Sequence, residues 1–310
     1  MNPASEQLLQ WVKAAIGGRE VAITGMHRLY GGMSSIMQRL ELHVDGERRE
    51  LVLRQFDDEQ WLRQEPDLAR HEAAALQRAS ALLGERAPQV IAYDETGERC
   101  GRPAVLMTKL DGAMELSPAD MSEWLDGLAA AIAGVHAGDG GKAEFAWRYY
   151  AYFDVTSLVH ADWAWSQAPD LWRRAADIVG AGLPPYRACF IHRDYHPTNV
   201  LWAGGKVSGV VDWVNACIGP AGIDVGHCRV NLAQLYGVEA ADAFLEAYRR
   251  HAGAAFAYDP YWDLRSLLDM GNDPPDVYPG WTALGVTGLT AELIMARLDA
   301  YAASLLERIK

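Results

Sequence analysis

Cysteine is scarce: four residues in 310, Cys100, Cys189, Cys217 and Cys228, with no metal-type spacing among them. That excludes a disulfide scaffold and a zinc ribbon, and it fits a reducing compartment. Positive charge is also in short supply. Lys and Arg number 28 against 41 Asp and Glu, a formal net charge of −13, which argues against a nucleic-acid backbone or an anionic membrane as the main partner. No apolar run approaches the roughly 18 residues that span a bilayer. The first residues, MNPASEQLLQWVKAAIGG, lack a basic stretch followed by an apolar one, so no signal peptide is expected and the expected location is cytoplasmic. No repeat of fixed period and no low-complexity tract is present.

What remains is an ordinary globular balance, 50% apolar and 22% charged, in a chain long enough for two domains. The first 110 residues mix strand and helix signals. Ser5 is placed to cap a short helix ending before Gly17-Gly18. Strand-like runs cover Val21–Tyr30, Ser35–Val44 and Arg49–Phe56, the last two joined by Asp45-Gly46, a hairpin turn signal. A helix is predicted from about Asp67 to Leu83, closed by Gly84, with two further strands at Gln89–Tyr93 and Pro103–Leu110. After Asp111-Gly112 the pattern turns helical: Ser117-Pro118 opens a long helix through His136, and the one β-like island is Phe190–Asp212. The expected class is α+β and bilobal, with a small antiparallel-sheet lobe over 1–110 and a larger, mostly helical lobe over 111–310. Such folds hold ligands in the crease.

The informative segment is Ile191-His192-Arg193-Asp194-Tyr195-His196-Pro197-Thr198-Asn199-Val200-Leu201-Trp202, followed by Gly209-Val210-Val211-Asp212-Trp213. If Gly204-Gly205 is a two-residue turn, Ala203 pairs with Lys206 and Asn199 with Val210. Asn199 and Asp212 then share one face of the ribbon as diagonal neighbours, about 7–8 Å apart. An amide oxygen and a carboxylate so placed suit Mg²⁺, which prefers hard oxygen ligands. Asp194, five residues before the asparagine, adds a carboxylate able to accept a proton from a hydroxyl.

This H-x-D-x-x-x-x-N…D pattern resembles the catalytic and metal-binding loops of the protein-kinase-like fold. The wording HRDYHPTNVLW…GVVDW is similar to the aminoglycoside phosphotransferase and choline kinase branch. The resemblance runs from about Leu29 to the helix after Asp224, and its specific part is Asp194–Asp212. It implies Asp194 as catalytic base, Asn199 and Asp212 as Mg²⁺ ligands, and ATP (or GTP) as phosphoryl donor. His192 reads as a packing residue, and His196 matches a frequent family histidine without an assigned role.

Arg54 lies on an alternating strand, and Glu72 interrupts the apolar stripe Leu68, Ala75, Leu76, Ala79 at helical spacing. A charge there is costly unless paired, and Arg54 is the natural partner. The resemblance places a strand cation and a helix glutamate in this order, with lysine usual where Arg54 stands. It further implies a phosphate-binding loop at Gly31-Gly32-Met33-Ser34-Ser35, with Gly32, Ser34 and Ser35 as contacts, although a plain hairpin turn is the other reading. Backbone groups around Thr108–Leu110 would bind adenine. Asp224 is expected to cap a helix beginning near Val225. Only eleven residues separate Asp212 from Asp224 and no A-P-E follows, which disfavours a peptide acceptor.

Two stretches read as walls of an acceptor pocket: the aromatic-rich 145–172, including Trp147, Tyr149, Tyr152 and Phe153, and the acidic, aromatic 258–281 with Trp262, Asp269, Asp273 and Asp276. Acids with aromatic faces suit a cationic, hydroxyl-bearing small molecule such as an amino sugar or amino alcohol. A solvated charge run over a packed core is the competing reading. The expectation is an ATP-dependent phosphotransferase acting on such a hydroxyl. Its alternatives are a kinase of a neutral sugar, a macrolide or another metabolite, and a nucleotide-binding interaction module without turnover.

Overall fold

The computed structural model describes residues 3–18, 20–29, 35–138, 144–151, 154, 157–158, 161–271 and 273–309. The chain divides into two compact units, Met1–Asp111 with Val211–Asn215, and Gly112–Val210 with Ala216–Lys310.

In the first unit, α1 (Pro3–Ile16) precedes strands β1 (Val21–Leu29), β2 (Ile36–Val44) and β3 (Glu47–Gln55). Helices α2 (Glu59–Gln64) and α3 (Leu68–Leu83) follow, then β4 (Val90–Asp94) and β5 (Ala104–Thr108). The sheet is antiparallel throughout, in the order β1-β2-β3-β5-β4. Asp45 and Gly46 both take positive φ, 52° and 88°, as a two-residue turn with the strands' own twist requires. One face of the sheet buries Leu40, Leu42, Leu53 and Leu106 against Trp11 and Val12 of α1. Helix α3 follows Asp67 and stops at Gly84, whose φ of 62° suits glycine. Its buried positions include Leu68, Glu72, Ala75, Leu76 and Ala79, so the glutamate does sit on the apolar face.

The second unit contains β6 (Ala113–Met114), α4 (Met121–His136), α5 (Pro169–Gly180), β7 (Ala188–Ile191), β8 (Val200–Ala203), β9 (Lys206–Val210) and β10 (Cys217–Pro220). Helices α6 (Ala221–Tyr236), α7 (Val238–Ala252), α8 (Pro260–Asp269), α9 (Pro279–Ala283) and α10 (Ala291–Leu306) complete it. Helix α4 starts four residues later than Ser117 suggests: the Asp120 carboxylate accepts the N–H groups of Ser122 and Glu123, while the Ser117 N–H is taken by Glu115. The small sheets are β6-β8-β9 and β7-β10. Helix α6 is buried almost all round, as befits the centre of a helical layer. Its Gly222 and Gly226 let α8 approach: a Cβ on Gly222 would lie 2.4 Å from the Trp262 ring, and one on Gly226 would lie 2.7 Å from the Trp262 carbonyl oxygen.

The β8–β9 ribbon corrects one expectation. Ala203↔Lys206 and Trp202↔Val207 pair as the Gly204-Gly205 turn dictates, but a bulge at Ser208 shifts the register, so Val210 faces Val200 and not Asn199. Asn199 belongs instead to a 3₁₀ turn, Pro197–Asn199, leading into β8. Sequence alternation does not register a one-residue bulge.

Candidate active site

The loop between β7 and β8 is held by its surroundings. His196 is extended, as a residue before proline must be, and Pro197 starts the 3₁₀ turn that carries Asn199. Arg193 has a φ of 69°, an uncommon conformation for a residue with a side chain. Buried Asp224 holds it there, accepting the His192 N–H at 2.7 Å and the Arg193 N–H at 2.6 Å. Its Oδ2 also lies 2.9 Å from His136 Nε2, and His136 Nδ1 lies 2.7 Å from the Tyr248 hydroxyl. The Arg193 guanidinium donates to the Tyr150 carbonyl at 2.8 Å and stacks over the Tyr150 ring at 4.1 Å. Asp224 is therefore not a helix cap. Helix α6 begins at Ala221, and the carboxylate reaches from its first turns to two backbone donors of the loop.

These restraints present Asp194. Its Oδ1 is 3.1 Å from His227 Nε2 and 3.7 Å from His196 Nε2. Burial pushes the Asp194 carboxyl upward, but the His227 hydrogen bond and the electrostatic pull of the surrounding imidazoles outweigh it and hold the group well below the usual carboxylate range. For His227, burial favours the neutral ring, yet its bond to Asp194 and the charges of Asp194, Asp269 and Asp224 raise its affinity for a proton. The contact thus favours the charged form of each partner. Asn199 donates from Nδ2 to the Asp194 carbonyl at 2.9 Å and faces His196 Nε2 at 3.2 Å, so neither contact uses its Oδ1. Fully buried His192 accepts the Asp194 N–H at Nδ1, 3.3 Å away, the packing role expected of it.

In the first unit, Arg54 Nη1 donates to Glu72 Oε1 at 2.9 Å and to Asp212 Oδ1 at 2.6 Å, while its Nε donates to the Ser35 hydroxyl at 2.9 Å. Arg54 and Glu72 are buried, and the Asp212 side chain is 35% exposed. Burial disfavours the Arg54 charge, but Asp212 and Glu72 more than compensate, so the guanidinium stays protonated. Burial and the like charge of Asp212 raise the Glu72 carboxyl despite Arg54. Asp212 has a φ of 66°, and its Oδ2 remains for another partner. Asn199 Oδ1, in the second unit, and Asp212 Oδ2, in the first, are each hard oxygen donors of the kind Mg²⁺ prefers.

Ser35 is occupied by Arg54, whereas Gly31, Gly32, Met33 and Ser34 lie outside the described residues, as do Tyr152 and Phe153. Thr108 ends β5; its N–H and hydroxyl are paired with Gln89, and half-buried Leu110 follows two residues on. Trp262 is 5% exposed, packed edge-on against Tyr149, Tyr186 and Tyr261, and borders a cavity of about 310 Å³ lined also by His136 and Tyr248. Asp269 is ion-paired with Arg265 at 3.1 Å, and burial raises its carboxyl against the pull of Arg265, His227 and Arg193. Asp273 is exposed. Sequence reasoning missed His227. The available signal was its place three residues after Asp224, on the same helix face.

A loop carrying an ionised carboxylate and an oxygen-presenting asparagine, on an α+β fold of this topology, defines a kinase-like phosphotransferase architecture. The chain belongs to the phosphotransferase enzyme family (APH), whose sequence model matches residues 39–265. Its fold is shared by macrolide 2′-phosphotransferase from Brachybacterium faecium, 19% identical, with a TM-score of 0.58 over 96% of this chain and 97% of that one. An amicoumacin kinase solved with AMP-PNP, Ca²⁺ and Ami is 12% identical, with a TM-score of 0.61 over 99% of this chain and 95% of the other. Over 190 residues the chain is 27% identical to homoserine kinase of Rhodopseudomonas palustris, covering 54% of this chain and 55% of that protein. The chain thus spans about half the length of the curated relative it matches. Among the described residues no helix is long and apolar enough to cross a membrane.

Proposed function

We propose that the chain is a cytoplasmic, ATP-dependent kinase that phosphorylates a hydroxyl of a cationic small molecule, an amino alcohol or amino sugar. The observation carrying this reading is the Asp194–Asn199 loop, in which the carboxylate is kept ionised and the amide keeps an oxygen for a metal. When bound, Mg·ATP supplies the transferable phosphoryl group and neutralises its developing charge. Asn199 and Asp212 hold the Mg²⁺. Arg54, braced by Glu72, holds phosphate oxygens, with the Ser35 hydroxyl beside it and backbone groups at Thr108 and Leu110 on the adenine. Asp194 orients the acceptor hydroxyl and takes its proton at a carboxylate oxygen, so that catalysis consists of positioning and charge placement. GTP is the alternative donor.

Asp269 and Asp273 supply the negative charge that attracts the acceptor's ammonium, with Trp262 supporting the wall behind them. Homoserine, the acceptor named for the relative above, is itself an ammonium-bearing alcohol, which supports this class. The macrolide likeness supports a bulkier acceptor as the second reading. A mass-spectrometric screen for phosphorylated product, with Mg·ATP and a panel of amino alcohols, aminoglycosides, macrolides and neutral sugars, tests both. Turnover confined to ammonium-bearing acceptors is expected. Turnover only of neutral sugars would overturn the acceptor class, and tight Mg·ATP binding with no product across the panel would favour an interaction module.

A further inference from the structure

The side chains around Asp194 include more nitrogen ligands than proton transfer to a carboxylate requires. One ring nitrogen each of His196 and His227 and a carboxylate oxygen of Asp194 all lie within 4.8 Å of one another. From Asp194 Oδ1, His227 Nε2 is 3.1 Å and His196 Nε2 3.7 Å away. A tetrahedral ion with ligands at ~2.0–2.1 Å spaces them about 3.3–3.4 Å apart, between the two values. The third edge, between the two ring nitrogens, is no longer than 4.8 Å, so the imidazoles would have to close on the ion by no more than a side-chain adjustment.

The hydrogen-bond pattern also sets the imidazole of His196. Its Nδ1 lies 2.8 Å from the Thr198 hydroxyl, while its Nε2 is 3.2 Å from the Asn199 amide nitrogen, a contact that gives way when Nε2 takes an ion. A partner on the far ring nitrogen is what a metal-ligating histidine characteristically has. The His196 and His227 side chains are 15% and 18% exposed, and Asp194 is 30% exposed, which keeps the ligand atoms reachable from water.

We infer that Asp194, His196 and His227 form a binding site for one zinc-class transition-metal ion, with Zn²⁺ held by two imidazoles and a carboxylate. Imidazole selects such ions over Mg²⁺, which prefers oxygen, so the site is chemically separate from the Asn199 and Asp212 oxygens. On binding, His227 Nε2 releases to bulk water the proton it shares with Asp194, and both atoms turn to the metal. The fourth position stays open to water. An occupied site withdraws Asp194 from proton transfer, making the enzyme zinc-inhibited. This consequence rests on the role of Asp194 proposed above, whereas the site itself does not.

The test is calorimetric titration of untagged protein with Zn²⁺ in millimolar-range Mg²⁺ (~10 mM, in excess of any oxygen site), followed by Co²⁺ binding read from its visible absorption. One ion per chain is expected, with a tetrahedral Co²⁺ spectrum. His196→Ala and His227→Gln should each weaken Zn²⁺ by more than about 100-fold, beyond the loss of an outer-shell partner. Thermal melts establish that each variant is folded, and His227→Gln retains an amide donor toward Asp194 for this purpose. Absence of a one-to-one site, or binding indifferent to both substitutions, overturns the proposal. If binding is stoichiometric and histidine-dependent but phosphoryl transfer continues undiminished with Zn²⁺ bound, the site stands and the assignment of Asp194 as base fails.

Discussion

Arg54 joins two carboxylates and a hydroxyl through one buried guanidinium, so its removal exposes how much of the small unit depends on it. Arg54→Met leaves Glu72 buried without its cation, and breaking such a pair costs about 3–5 kcal/mol. Denaturant unfolding should show a loss of that size, with part of it recovered when Glu72→Gln is added, because a neutral amide needs no counter-charge. Additive losses in the double variant would mean that the two side chains do not act as a pair. Asp224 is the second residue whose effect exceeds its position. Asp224→Asn keeps one carbonyl acceptor for two backbone donors, so one buried N–H loses its partner at about 1–3 kcal/mol. Because those donors fix the loop that presents Asp194, kcat should fall while nucleotide Kd holds. The Arg54–Glu72 pair was legible in the sequence, since a lone charge on an apolar helix stripe demands a partner and one strand cation was in register to serve. Asp224 was misread: its place before an apolar run looks like a cap, and nothing local shows that two distant backbone N–H groups converge on it.

Among the elements, the hairpin turn and the glycine stop of α3 were legible, whereas the starts of α4 and α6 were not. Gly84 ends α3 and Asp45-Gly46 turns the β2–β3 hairpin where their chemistry requires, because both depend on φ values that few other residues adopt. The bulge at Ser208 was not legible, since alternation continues across it. The α6–α8 contact gives a sharper test. Gly226→Ala sets a methyl against a backbone carbonyl, which cannot swing aside as a side chain can. A loss of about 1–3 kcal/mol is expected from such overpacking, read as a lower melting temperature. An unchanged melting temperature would show that α8 is not held as closely as described.

For the molecule as a whole, the scarce cysteines become a probe of the fold. Cys100, Cys189, Cys217 and Cys228 are all buried, and burial is the main cause pushing the Cys189 and Cys217 thiols up to about 12. Since the thiolate is the reactive form, the native protein should label negligibly with a disulfide reagent at pH 8, and all four thiols should react after unfolding in guanidinium. Rapid labelling of the native chain would contradict the packing of both units. The α+β class was legible because strand and helix periodicities change at Asp111-Gly112. The acceptor was not, because acids and aromatics on the same stretch serve core and pocket alike: Trp262 is packed inside while Asp273 faces water.

The central claim, that Asp194 moves the acceptor's proton without holding the nucleotide, is tested most directly by Asp194→Asn in a paired experiment on one preparation: Mg·AMP-PNP affinity by calorimetry and single-turnover phosphoryl transfer with an accepted substrate. The predicted result is an unchanged nucleotide Kd with transfer reduced by at least ~10²–10⁴-fold, the range that a positioned base contributes. Transfer at the wild-type rate, or loss of nucleotide binding in step with activity, would contradict it.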